Sequence, residues 1–219
     1  MNWWELFETA GPVLLKGAGY TLLFAVSSMV LGLLLGFIVA LVRVARVPVA
    51  AQAAAFYVSA MRGTPLLVQI FVIYYGLPSV GIEFEPVTAG ILALTLNVAA
   101  YLSESMRGAI AGVERGQWDA GLSLGFSWWQ SMRYIVAPQA LRLAVPSLSN
   151  SLISLIKDTS LVSVITVTEL MLATKEVIAQ TFQPLPLYLA AAALYWMLSA
   201  SFERVQRRVE VKLEEAHRR

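Results

Sequence analysis

The chain has 219 residues, 58% of them hydrophobic and only 14% charged, and its mean hydropathy is +0.68. That balance belongs to an integral membrane protein rather than to a soluble globular domain. A formal charge of +2 provides no field for nucleic acid, the absence of cysteine leaves neither disulfides nor thiolate metal sites, and one histidine, His217, is too few for zinc, haem or Ser-His chemistry.

In chain order, Glu5 and Glu8 precede the first basic residue, Lys16, which is unlike a secretory signal. The uncharged run from Gly17 to Val42 also far exceeds a signal core of roughly 7 to 15 residues. A retained first span over 17–42 is expected, because a hydrocarbon core about 30 Å thick needs about 20 helical residues. Gly32 and Gly36 have a GxxxG spacing, which either admits a second helix closely or reflects small residues scattered along a membrane helix. Arg43, Arg46 and Pro48 mark a membrane exit. A second span over 50–76 is interrupted by Arg62-Gly63-Thr64-Pro65, where weakened helical bonding predicts a kink. An acidic loop with Glu83 and Glu85 follows.

The third span, 87–105, carries Asn97, Tyr101 and Glu104 at helical spacing. They form one polar stripe, which faces protein or water rather than lipid. It lines a polar path or makes interhelical hydrogen bonds. The connection over 108–142 is longer than two helices need. Within it Gln117 to Leu124 reads as a short helix closed by Gly125, since glycine adopts the left-handed conformation at little cost. Ser127 and Gln130 then have capping-box spacing and open a second helix, expected to stop near Ala137 because Pro138 has no N–H to donate. Its Trp128, Met132, Ile135 and Val136 share an apolar face. Trp118, Trp128 and Trp129 suggest interfacial anchoring or a docking surface for a separate partner, the plainer reading being a long connection.

A fourth span over 144–166, starting near Pro146, contains Lys157-Asp158-Thr159-Ser160. A charge at mid-bilayer costs on the order of 2.5 to 3.5 kcal/mol, so such residues face a cavity or a partner. Lys157 and Asp158 are adjacent and point to different faces. Asp158, Thr159 or Ser160 therefore lines a translocation path, or the cluster pairs with another helix through Arg62 or Glu104. The fifth span, 185–205, follows Pro184 and continues as a solvated helix with Val205, Val209 and Leu213 in line and with Glu214/Arg218 and Glu215/Arg219 at i,i+4. Basic residues gather on one side of this five-span arrangement, in the groups around Arg43, Arg107 to Arg142, and Arg204 to Arg219. The positive-inside rule then puts the N-terminus outside and the C-terminus in the cytoplasm, with Lys16 and Lys175 at the outer interface.

Gly116-Gln117-Trp118-Asp119-Ala120-Gly121, then Leu124-Gly125-Phe126-Ser127, Pro138-Gln139-Ala140, Pro146 and Asn150 resemble the EAA loop of ABC-importer permeases. With Arg62-Gly63-Thr64-Pro65 upstream and Lys157-Asp158-Thr159-Ser160-Leu161 downstream, the chain is similar to the polar amino acid uptake branch of type I importers. Asp119-Ala120-Gly121 stands where that family usually has Glu-Ala-Ala. The resemblance implies an all-α membrane protein of about five transmembrane helices, one permease domain over 1–219, in a bacterial-type inner membrane. It implies that Gln117, Asp119, Ala120, Gly121, Leu124 and Gly125 form a coupling helix seated on a cytoplasmic ABC ATPase. ATP-driven closure of two ATPases then rocks two permease subunits, identical or related, between inward and outward openings. Asn97, Tyr101, Glu104, Lys157, Asp158, Thr159 and Ser160 would lie on the path of an amino acid delivered by an extracytoplasmic solute-binding protein. ATP and magnesium would sit on the partner, with no cofactor on this chain. The sequence itself contains no GxxxxGK[ST] phosphate loop, so it has no nucleotide site of that kind. Two other readings are an intramembrane aspartyl hydrolase, which would need Asp119 and Asp158 in one site, and a passive channel or scaffold without ATPase coupling.

Overall fold

The computed structural model describes the backbone of residues 3–218 and the side chains of residues 5–6 and 8–212. All its elements are helical: α1 (Trp3–Val44), α2 (Ala50–Gly63), α3 (Leu66–Phe71), α4 (Pro86–Ala111), α5 (Arg115–Ser123), α6 (Trp128–Ser131), α7 (Ala137–Asp158), α8 (Leu170–Thr181) and α9 (Pro184–Arg218). Among the described residues, three segments are long and apolar enough to cross a membrane: Glu8–Val44, Pro86–Ala111 and Pro184–Lys212. The bent pair Ala50–Gly63 and Leu66–Val80 makes a fourth if it counts as one span.

The α1 and α4 helices form the central seam, and the GxxxG spacing is what lets them meet. A Cβ on Gly32 would lie 2.5 Å from Val98 Cγ1, and one on Gly36 would lie 2.9 Å from the Ala99 carbonyl oxygen. Side chains are excluded at both positions, so the backbones approach directly. Phe24, Met29, Ile70, Leu94, Leu102 and Ile156 pack around this seam as the main apolar core.

Helix boundaries differ from the sequence expectation at several points: α1 already begins at Trp3, ahead of the expected 17–42, α4 runs on to Ala111, beyond the expected 87–105, and three further differences have a local cause. The second region is not a kinked rod: its two halves turn by 109° at Arg62-Gly63-Thr64-Pro65. Backbone groups freed at such a break must be satisfied from within the protein. Gln69 does this, donating through Nε2 to the Met61 carbonyl (2.8 Å), the Thr64 carbonyl (3.1 Å) and Thr64 Oγ1 (2.9 Å). Asn97 supports the same knot by donating to Gln69 Oε1 at 3.0 Å and to the Met61 carbonyl at 3.3 Å.

The helix begun at Ser127 does not stop at Ala137. A wide π turn over Met132–Val136 carries it directly into α7. Such a turn loosens the ladder just where Pro138 lacks its N–H, so the rod continues through Pro138 and Pro146. At its other end α7 stops at Asp158 and gives way to a 3-10 turn over Thr159–Ile165, closed by Thr166 in the left-handed region (φ 61°). The helix expected over 144–166 thus starts earlier and ends earlier.

After this turn, Glu169 caps α8 and fastens it to two long helices. Its carboxylate accepts from the Leu172 N–H (3.0 Å), from Tyr195 Oη (2.5 Å) and from Thr21 Oγ1 (3.4 Å), and it is fully buried. The final helix starts at Pro184, next to the expected Leu185. Val205 and Val209 are exposed on its tail, while Leu213 and the Glu214/Arg218 and Glu215/Arg219 pairs lie outside the described side chains.

Candidate functional site

Along α4 the residues Asn97, Tyr101 and Glu104 occupy one face, as their spacing requires. They open onto a cavity of about 740 Å³. Its second wall is α7, where Ser147, Asn150, Ser151, Ser154 and Asp158 recur at intervals of three and four residues. Its third wall is the break in the second region, with Arg62, Thr64, Pro65 and Leu66.

The cavity holds both signs of charge. The Arg62 guanidinium stands over the Tyr101 ring, 5.4 Å from its centroid. This contact orients the cation toward the cavity without neutralising it. The Asp158 carboxylate makes no hydrogen bond or ion pair among the described residues, and the nearest residue of opposite charge in the chain is the adjacent Lys157. Glu104, in contrast, is held from two sides: it accepts from Arg43 Nη1 at 2.6 Å and from Arg107 Nε at 3.0 Å, and Arg107 Nη2 is also in contact with it. The pairing of Lys157 or Asp158 with Arg62 or Glu104 left open by the sequence is not formed. At one end of the cavity Ser105 Oγ and Ser147 Oγ share a hydrogen bond of 2.7 Å, joining α4 to α7.

Not every polar residue of the sequence cluster reaches this space. Lys157 is exposed and does not line the cavity. The Thr159 hydroxyl donates to the Ile156 carbonyl at 2.8 Å and Ser160 to the Lys157 carbonyl at 2.7 Å. Both serve the tightening last turn, where a 3-10 geometry needs such local donors. Conversely, Ser147, Asn150, Ser151 and Ser154 line the cavity although single serines in a membrane helix attract no attention. Their common helical face was the available signal.

At the other end of the α6–α7 rod, α5 closes in a Schellman motif. Gly125 is left-handed at φ 79°, its N–H donates to the Leu122 carbonyl at 2.9 Å, and the Phe126 N–H donates to the Gly121 carbonyl at 3.0 Å. The capping box at Ser127 is complete, with bonds of 2.8 and 3.3 Å to Gln130. Gln117 and Gly121 face inward: Gln117 Oε1 accepts from Gln139 at 3.1 Å, and Gly121 is buried against Ser131. Asp119, Ala120, Leu122 and Leu124 are exposed on the outer face. Asp119 and Asp158 line different cavities, so the two carboxylates do not make a hydrolase pair.

The profile of the family described as binding-protein-dependent transport system inner membrane component matches residues 32–215. The chain belongs to this family. The permease is 42% identical over 203 residues to the probable amino-acid ABC transporter permease protein YckA of Bacillus subtilis (strain 168), covering 90% of each chain. It is 35% identical over 213 residues to the glutamine transport system permease protein GlnP of Escherichia coli (strain K12), covering 96% of this chain and 97% of that one. A crystal structure of an amino acid ABC transporter with histidines superposes with a TM-score of 0.92 at 31% identity, covering 97% of this chain and 99% of that one. The inward-facing MetNI methionine ABC transporter shares the fold, with a TM-score of 0.77 at 18% identity over 97% of this chain and 99% of that one. The permease is accordingly a transport component and not an enzyme.

Proposed function

We propose that the permease is the membrane-spanning subunit of an ATP-driven importer of polar amino acids, with the 740 Å³ cavity as its substrate path. The observation that carries this reading is the presence in the walls of one cavity of a cation, Arg62, and an anion, Asp158, neither of which is held in an ion pair among the described residues. An amino acid brings one carboxylate and one ammonium group. Arg62 offers a fork for the first and Asp158 a counter-charge for the second. Asn97, Asn150 and the serines of α7 supply neutral hydrogen-bonding groups for a polar side chain.

In this reading the N-terminus is outside and the C-terminus in the cytoplasm of a bacterial-type inner membrane, following the basic residues. α5 is the coupling helix. Asp119, Ala120, Leu124 and Gly125 meet an ABC ATPase subunit that holds ATP and magnesium, while Gln117 and Gly121 lock α5 to the rod behind it. A second permease, identical or related, completes the pathway, and an extracytoplasmic solute-binding protein delivers the amino acid. Closure of the ATPases moves α5, and the α6–α7 rod transmits that motion to the cavity wall it carries.

The test is uptake of labelled amino acid by the reconstituted complex, with unlabelled amino acids as competitors. ATP-dependent uptake competed by polar amino acids is expected, and Asp158→Asn should lower uptake while the complex still assembles. Unchanged uptake kinetics in that variant would assign Asp158 to the scaffold. Solute flux without ATP, and purification without an ATPase, would favour a passive channel instead.

A further inference from the structure

A second polar cavity, of about 460 Å³, lies where the ends of α1 and α4 meet α5. Four arginines line it, Arg43, Arg46, Arg107 and Arg115, with Asp119 as the one carboxylate in its wall among the described residues. Glu104 engages Arg43 and Arg107, whereas Arg46 and Arg115 make no ion pair among the described residues. The cavity therefore keeps an excess of positive charge. The indoles of Trp118 and Trp128 stack on its wall with centroids 5.8 Å apart. Indoles in this setting mark the level at which hydrocarbon gives way to headgroups.

Beside it lies an apolar crevice of about 470 Å³, whose lining includes Phe37, Leu41, Met106, Met132 and Leu148. Ile110 belongs to the wall of both. We propose that the two cavities form one site for an anionic phospholipid, its phosphate among the four arginines and an acyl chain in the crevice between α1 and α7. Guanidinium forks match phosphate oxygens bidentately, and a basic pocket between membrane helices favours an anionic headgroup. A soluble phosphate would leave the crevice unfilled, and an uncharged lipid would leave the excess positive charge of the cavity uncompensated. The site requires only that these helices lie in a bilayer, so it stands apart from the amino acid reading. Because Arg115 belongs to α5, a bound headgroup would hold the coupling helix against the ends of α1 and α4.

The experiment places the permease, in complex with its ATPase partners, in nanodiscs of phosphatidylcholine with a minor fraction of phosphatidylglycerol. Lipid retained on release from the disc is identified by native mass spectrometry. Phosphatidylglycerol should be retained above its bulk fraction. Arg46→Gln and Arg115→Gln should each lower that retention roughly fivefold. Ala137→Trp, which fills the crevice without changing charge, should lower it as well. Inorganic phosphate or glycerol phosphate at millimolar concentration should not displace the lipid. Displacement by either, with Ala137→Trp without effect, would identify a soluble anion site and overturn the lipid assignment. Wild-type complex that retains phosphatidylglycerol no better than phosphatidylcholine would overturn it independently of any variant, as expected if ATPase carboxylates cover the arginines or a second permease fills the crevice.

Discussion

Gly121 stands where the resembled loop carries alanine, and its neighbours account for the difference. A Cβ at this position would lie 2.5 Å from Ser131 Oγ and 3.0 Å from Ile135 Cδ1. Ser131 is fully buried, and its hydroxyl has no hydrogen-bond partner among the described residues. Overpacking of this kind costs about 1–3 kcal/mol, offset in part by the better helix propensity of alanine, about 1 kcal/mol. Gly121→Ala should therefore lower the thermal stability of the purified permease, and adding Ser131→Ala should recover part of the loss, since the second change removes the shortest contact and the unpaired hydroxyl while the 3.0 Å contact with Ile135 remains. A double-mutant cycle by thermal unfolding reads the coupling; strictly additive effects would mean that the two residues do not press on each other. Glu104 illustrates what residue-level reading misses. Its spacing from Asn97 and Tyr101 gives the stripe, and Arg107 at i+3 is a partner that local spacing offers, but the second partner, Arg43, is 61 positions away, and no local pattern announces that pair.

At the scale of elements, the long uncharged runs around Gly17–Val42 and Val87–Ser103 are legible because a membrane helix needs little beyond length and apolarity. Gly32 and Gly36 announce at most that some helix can approach closely, and only the structure makes that helix α4. Gly36→Ala should push α1 from α4, because the new methyl meets a backbone oxygen at 2.9 Å that cannot rotate away. The expected loss is about 1–3 kcal/mol, seen as a lower unfolding temperature. Gly19→Ala is the matched control: nothing lies within 4 Å of its Cβ, so stability should hold or rise slightly. Equal losses at both positions would refute close packing as the cause. Boundaries were harder to read. Proline at position 138 suggests a stop, yet the π turn before it absorbs the missing bond, and that adjustment depends on a backbone conformation rather than on a residue type. The 109° break likewise exceeds a proline kink because Gln69, from the helix just after the break, and Asn97, from α4, repair it.

At the scale of the molecule, one rod connects two surfaces. From Trp128 to Asp158 the chain is continuously helical, a length of roughly 45 Å at about 1.5 Å per residue. Its first turns pack against α5, through Gln117 to Gln139 and the Trp118–Trp128 stack, and its last turns line the polar cavity. The exposed face of α5 and the cavity share no residue, so a defect at the first should spare binding at the second. Asp119→Lys places a cation where the proposed ATPase contact has an acid, and like-charge contact across an interface is strongly disfavoured. Gly125→Trp adds both bulk and a left-handed strain at φ 79°. Both variants should insert in the membrane and still bind labelled amino acid in the detergent-purified complex. ATP-driven uptake should fall roughly tenfold or more, in keeping with coupling energies of about 1–3 kcal/mol between distant sites. If either variant imports at the wild-type rate, α5 does not carry the drive. If amino acid binding is lost together with uptake, the rod is a structural support for the cavity and the two surfaces cannot be treated as separate stations of one machine.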